Sequence, residues 1–210
     1  MLEVSQVVAL ERAIAEAGTP LDALMRRAGR FLAFEACKAL EGMEGAKEIV
    51  IFCGNGNHRW GIPVCLVTAV EPAALTAEPA RAAALRATAS LSAHSQVVLA
   101  PTDAEVPALL NGASLAIDAL LGTGFAHDTV KAPFDGWIRA LNAARDRGTL
   151  VAADVPSGFS AQMGRAAKDA VRADLTVTMI VPKPGLAAKD GAAHCGRFVV
   201  APIAYIEPLV

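Results

Sequence analysis

Two carboxylates stand where apolar runs open into glycine loops. Asp118 lies in Asp118-Ala119-Leu120-Leu121-Gly122-Thr123-Gly124-Phe125, and Asp154 in Ala153-Asp154-Val155-Pro156-Ser157-Gly158. A carboxylate at a buried strand end can take and return a proton, or hold a cation through hard oxygen atoms. The neighbouring glycines let backbone N–H groups come close to a phosphate or another polar group. Ligands of α/β proteins bind at the ends of adjacent parallel strands, so these two ends side by side would make a site. Each aspartate also has a plainer reading. Asp118 could cap the turn into Gly122, and Asp154 could be an Asx-type turn former.

The elements that must position these groups alternate along the chain. Val4 to Ala17 and Leu21 to Leu40 carry apolar residues at three- and four-residue spacing and are expected to be helices, separated by Thr19 and Pro20. Strands are expected at Glu48 to Cys53, Pro63 to Thr68, Gln96 to Ala100, Ser114 to Ile117 and Thr149 to Ala153, with two more at Leu175 to Ile180 and Phe198 to Ala201. Helical stretches lie between them at Pro79 to Ser90, Ala104 to Leu110 and Phe134 to Arg147, where Phe134, Trp137, Ile138 and Leu141 form a sheet-facing stripe. This is the βαβ grammar of a mostly parallel sheet covered on both faces. It predicts one three-layer α/β/α, Rossmann-like domain over residues 1–210.

The first loop does not fit that grammar. The strand ending at Cys53 runs into Gly54-Asn55-Gly56-Asn57, the start of a phosphate-type loop, yet the next strand begins about ten residues later. A parallel pair needs a crossover of roughly a dozen residues or more, usually with a helix. Either the second strand is antiparallel, or it is not the spatial neighbour, or a loop and helix are missing between Asn57 and His58. An ordinary nicotinamide dehydrogenase would want Gly-x-Gly-x-x-Gly here, but position 59 is Arg, and Glu71 before Pro72 reads as a turn residue.

Composition narrows the function classes. A formal net charge of −2, with charges interspersed, provides no field for nucleic acid or an anionic membrane. No apolar stretch reaches the ~20 residues of a membrane span and no signal segment follows Met1, so the expectation is a cytoplasmic protein. Cys37, Cys53, Cys65 and Cys195 form no Cys-x-x-Cys pair and read as buried hydrophobes. His58, His94, His127 and His194 show no metal-ligand spacing. His127 alone falls in the glycine loop, where it could touch a phosphate. Lys183, between Pro182 and Pro184, reads equally as a phosphate contact or a solvated loop lysine, and Trp60 and Trp137 read as packing residues.

Five motifs in order carry a resemblance to a known family. They are Gly54-Asn55-Gly56-Asn57, Asp118 to Gly124, Asp154 to Gly158, Ala173-Asp174-Leu175-Thr176-Val177-Thr178 and Pro182-Lys183-Pro184-Gly185-Leu186, with Leu24-Met25-Arg26-Arg27-Ala28-Gly29 ahead of them. Together they resemble the NAD(P)H-hydrate epimerases, whose first loop looks like Gly-x-Gly-Asn-Asn-Gly-Gly-Asp-Gly.

The resemblance implies an epimerase interconverting the R and S forms of hydrated NADH and NADPH (NADHX and NADPHX), with Asp154 as the acid/base group. Substrate would lie against Asn57, Asp154 and the loop Gly122, Thr123, Gly124, Phe125, Ala126, His127 and Asp128. A potassium ion would be held by Asp118, Ser157 and Asn57. The resemblance also implies a homodimer and a separate NAD(P)H-hydrate dehydratase completing the repair. The departure is at His58 to Gly61, which have no counterpart in the family pattern. If the loop and helix are deleted, one wall of the pocket goes with them, and the alternative is a catalytically impaired relative acting as a nucleotide-binding or interaction module in which Asp154 is dispensable.

Overall fold

The computed structural model describes residues 1–44, 47–53, 64–76, 78, 80–89, 91 and 94–204. Seven short strands, β1 (Ile49–Cys53), β2 (Val64–Thr68), β3 (Gln96–Leu99), β4 (Leu115–Ala119), β5 (Thr149–Ala153), β6 (Leu175–Met179) and β7 (Arg197–Ala201), form one sheet in the order β3-β2-β1-β4-β5-β6-β7. Every pairing is parallel. The chain builds outward from β1 to β3, then returns to the other side of β1 and runs outward again from β4. Chain direction across the sheet therefore reverses between β1 and β4, the place where a crevice opens beyond the strand ends in such sheets.

Side-chain alternation explains the three layers. Val50 and Phe52 point to one face, where Trp137, Ile138 and Leu141 of α5 (Phe134–Ala144) and Val106 and Leu110 of α4 (Val106–Leu110) cover them. Ile49, Ile51, Leu115, Ile117, Val151 and Val177 point to the other, under Leu24, Leu32 and Ala36 of α2 (Leu21–Ala39). Leu10 and Ile14 of α1 (Val4–Glu16) pack against this second cluster. The central strands are buried on both faces, which is why they read as continuous apolar runs. Trp137 is fully buried, with its indole N–H donating to Pro101 O at 3.0 Å, and packs on Phe52 and Phe134.

The remaining helices are α3 (Ala80–Ala89) and α6 (Gly191–His194), the latter too short to have left a periodic signal. Two expected helices are shorter than their apolar pattern. Residues 102–105 form a turn in which Glu105 Oε2 accepts from the N–H and hydroxyl of Thr102, so α4 begins only at Val106. The last residues expected in α5, Arg145–Arg147, tighten into a single 3-10 turn before Gly148. No described helix is long and apolar enough to cross a membrane.

Two of the alternatives for the first loop are excluded: β2 is parallel to β1 and is its direct neighbour, with Ile49 opposite Val64. The junction of Asn57 and His58, and Trp60 with it, lies outside the described residues. Burial of the cysteines holds for Cys53, Cys65 and Cys195 but not for Cys37, which is exposed on α2 one residue beyond the buried Ala36. Burial pushes the Cys195 thiol up to about 12 and that of Cys65 up to about 11, so neither is ionised at neutral pH.

Candidate functional site

Asp118 and the Asp154 motif meet at the carboxyl ends of neighbouring strands. Asp118 is the fourth residue of β4 and is fully buried. Its Oδ2 accepts the backbone N–H of Ser157 at 2.7 Å. Its Oδ1 accepts the Ser157 hydroxyl at 2.6 Å and the Leu120 N–H at 3.3 Å. Ser157 Oγ accepts the Leu121 N–H at 2.9 Å in turn. The loop after β5 is thus tied back onto the end of β4, and the first turn of the glycine loop hangs from the same pair. Gly158 has φ +83, and a Cβ there would lie 3.0 Å from the Ala170 backbone. The motif's glycine therefore serves the turn.

Burial pushes the Asp118 carboxyl up to about 6 from an ordinary 3.8, against the lowering effect of the hydrogen bonds from Ser157 and Leu120. All three of its donors are neutral. Above that pH the site holds a buried negative charge beside the hard oxygens of Ser157 Oγ and Leu121 O, which lie 3.4 Å apart. A carboxylate beside hydroxyl and carbonyl oxygens is a donor set of the type alkali cations accept, rather than one for a transition metal. Among the described residues no group of three or more His, Cys, Asp or Glu could hold a metal ion. Asn57 lies outside the described residues.

The loop from Gly122 to Asp128 follows β4 and turns at once, Phe125 N–H donating to Gly122 O at 3.2 Å. Phe125 meets His127 edge to face, with ring centres 5.8 Å apart. Asp128 is tied by Arg165 at 2.6 Å, and its carbonyl accepts the Lys168 N–H at 3.3 Å. Gly122 and Gly124 have no positive φ, and a Cβ on either would meet nothing within 4 Å. Neither backbone conformation nor packing demands glycine at these two positions.

Asp154 directly follows β5 in the left-handed backbone region, φ 69, which aspartate tolerates better than most residues. Its N–H donates to Val177 O at 2.8 Å, extending the sheet by one bond. Oδ1 accepts the Met179 N–H at 2.9 Å, the Thr178 hydroxyl at 3.3 Å and the ammonium of Lys183. These contacts converge on one oxygen and fix the carboxylate, while the Asp154 side chain as a whole stays 27% exposed.

Lys183 corrects the sequence reading. It is neither a loop lysine in solvent nor placed to meet a phosphate. Its side chain is wholly buried, and its ammonium donates to Asp154, to Thr178 Oγ1 at 3.1 Å and to Met179 O at 2.9 Å. The flanking prolines and the 3-10 turn Pro184–Ala187 hold the backbone so that the side chain folds back under β6. A second residue escaped the sequence reading altogether. Burial raises the carboxyl of Glu11 of α1 above its ordinary value, the Asp154 charge raises it further, and the Lys183 ammonium opposes this. The available signal was its place, one turn after the buried Val7 and three residues before the half-buried Ile14, on a helix face otherwise turned to the core.

Comparison with known proteins follows the same residues. A family model described as YjeF-related protein N-terminus matches residues 21–185. The chain is 36% identical over 203 residues to the bifunctional NAD(P)H-hydrate repair enzyme Nnr of Coxiella burnetii, covering 93% of this chain and 39% of that protein. It is 35% identical over 168 residues to the NAD(P)H-hydrate epimerase of Limosilactobacillus fermentum, covering 74% of each. The chain spans about two fifths of the length of the bifunctional relatives from Coxiella burnetii and Thermanaerovibrio acidaminovorans. The crystal structure of yeast ynu0, YNL200c, shares the fold with a TM-score of 0.71 at 16% identity, over 95% of this chain and 87% of that one. With most of its length matched by the family model and by relatives above 30% identity, the chain belongs to the YjeF-related N-terminal, NAD(P)H-hydrate epimerase family.

Proposed function

We propose that the protein interconverts the R and S hydrates of NADH and NADPH, with Asp154 moving the proton. The observation that carries this reading is a carboxylate pinned through one oxygen at a strand end, on a side chain that stays partly exposed. Inversion at a carbon that bears a hydroxyl beside a ring nitrogen proceeds by ring opening or by loss and return of water. Either route needs a group that takes a proton and gives it back within hydrogen-bond reach. The names of the relatives agree with this activity. The loop from Gly122 to Asp128 would cradle the substrate's phosphates through its N–H groups. A separate dehydratase specific for one epimer would complete the repair, and a cytoplasmic homodimer is the form expected.

The test is to supply one epimer alone and follow the other by chromatography. Faster appearance than in buffer supports the reading. A rate equal to buffer, with nucleotide still bound, would favour the nucleotide-binding module instead. The loop glycines give a companion prediction. Gly122→Ala and Gly124→Ala should raise KM roughly tenfold, equivalent to about 1.4 kcal/mol, with melting temperatures unchanged because a Cβ at either position meets open space. A fall in melting temperature without a KM change would assign these glycines to the fold.

We further propose that Asp118 and Ser157, with Asn57, hold a potassium ion that offsets the buried charge. Its role when bound would be to neutralise Asp118 and fix the two loops, and the proton chemistry stays with Asp154. The carboxyl of Asp118 is raised on folding, so its ionisation opposes folding. Stability from its neutral form is full below its ordinary value of 3.8 and is lost as pH rises through about 6. A cation restores stability only above that range. Melting in KCl and in LiCl should coincide at pH 5 and separate at pH 8 in favour of KCl. Identical curves at both pH values would remove potassium from the site.

A further inference from the structure

Asp154 and the groups that grip it sit on two tight turns at the ends of neighbouring strands. Ala153 of β5 lies opposite Val177 of β6, so Asp154 follows one strand beside Thr178 of the next. Val155 N–H donates to Ala153 O at 2.9 Å around Asp154, φ 69, and Val181 N–H donates to Met179 O at 2.7 Å around Ile180, φ 62. A three-residue turn with a positive φ at its centre is rare and strained, most of all on a β-branched residue such as isoleucine. Strain of this kind persists where the surroundings over-determine it, and it clusters at active sites. The second turn leads into the segment of Lys183, which is braced from three sides. Leu2 N–H donates to Pro182 O at 3.3 Å, Leu186 N–H to Lys183 O at 3.2 Å and Gly185 N–H to Ala161 O at 2.8 Å. A Cβ on Gly185 would lie 2.5 Å from Ser160 O, so this approach needs glycine.

The ammonium buried by this segment has no donor to spare. Its three N–H groups meet three acceptors, Asp154 Oδ1, Thr178 Oγ1 and Met179 O. Thr178 and Met179 also donate to that same Asp154 oxygen, through the hydroxyl and the backbone N–H, so both members of the pair hang from one stretch of backbone. Replacing a buried ion pair by apolar residues is often neutral or stabilising, so the fold alone gives little reason for a lysine here. We propose that Lys183 is a positioning residue for Asp154: its charge keeps the carboxylate ionised and its hydrogen bond fixes the orientation, so that Asp154 works as the base; this rests on the epimerase reading. An ammonium within hydrogen-bond reach favours the charged form of a carboxylate. Lys183 is wholly buried, and its effect on the reaction runs through Asp154. The further charged group coupled to the pair is Glu11 of α1, on whose carboxyl Asp154 and Lys183 act in opposite directions. A like charge cannot favour an ionised Asp154, which leaves that effect to Lys183.

The experiment pairs kinetics with a direct titration of two variants. Lys183→Met removes the charge and the donor, while Lys183→Gln removes the charge and keeps a donor. Both should move the acid limb of the kcat/KM profile upward by roughly one to two pH units, a loss of about 10- to 100-fold below the limb. Above the limb, Lys183→Gln should recover most of the wild-type kcat, whereas Lys183→Met, having lost the orientation, should stay about 10-fold low. KM should change little in either. A purely structural role would lower the melting temperature and leave the limb where it is, so a limb that stays put in either variant overturns the proposal. Carbon-13 NMR of the Asp154 carboxyl, in the wild type and in Lys183→Gln, reads the ionisation without turnover. Its midpoint should rise with the limb, and a midpoint that stays put overturns the proposal. If the midpoint rises while the wild-type protein interconverts no epimers, it is the epimerase reading that has failed, and the positioning role fails with it.

Discussion

Asp154→Asn is expected to lower epimerase turnover by roughly two to four orders of magnitude, the usual contribution of a positioned proton-transfer group. The substitution keeps what the fold needs from this position. Asparagine also tolerates the left-handed backbone at φ 69, and its carbonyl oxygen can still accept the Met179 N–H and the Lys183 ammonium. What it cannot do is accept and return a proton. Substrate binding should hold, so the loss should fall on kcat with KM little changed. Single-epimer turnover of the wild type and the variant, assayed side by side, checks this. Equal rates would mean that Asp154 is dispensable, as the binding-module reading requires.

The sequence placed Asp154 well because its signals are local. An apolar run of five residues ending in a carboxylate, then Pro and Gly, marks a strand end and a turn whatever the tertiary context. Asp118 announces itself in the same way, and their meeting through Ser157 follows from β4 and β5 being neighbours. The sheet was legible for a similar reason: strands buried on both faces have a continuous apolar pattern and their connecting helices an amphipathic one. Lys183 was not legible. Its partner is 29 residues away, and a lysine between two prolines carries no trace of the loop that folds it under β6. The same holds for the turn at 102–105, where a side-chain hydrogen bond outweighs helix propensity and delays the start of α4. Glu11 was legible in principle, since a carboxylate on the inward stripe of an amphipathic helix breaks the pattern that defines the stripe. Its surroundings were not, because the start of α1 is tied to the loops after β5 and β6 by contacts far apart in sequence.

Removing one partner of the Asp154–Lys183 pair is expected to cost unequal amounts of stability, and the inequality is a stronger test than either loss. Lys183 is wholly buried, while the Asp154 side chain keeps 27% of its exposure. Asp154→Ala would leave an ammonium in the interior with only Thr178 Oγ1 and Met179 O as acceptors. It would also place alanine at a positive φ. The cost of an uncompensated buried charge is roughly 3–5 kcal/mol, which for a domain of this size lowers the melting temperature by about 10 °C or more. Lys183→Met leaves a carboxylate that water still reaches and that still accepts the Met179 N–H, so it should cost clearly less. The double variant Asp154→Ala/Lys183→Met has no stranded charge and should be more stable than Asp154→Ala alone, despite having one more substitution. Denaturant unfolding of the four proteins measures the coupling directly. Additive losses, or a double variant less stable than Asp154→Ala, would mean that the ion pair is not what holds the buried ammonium in place.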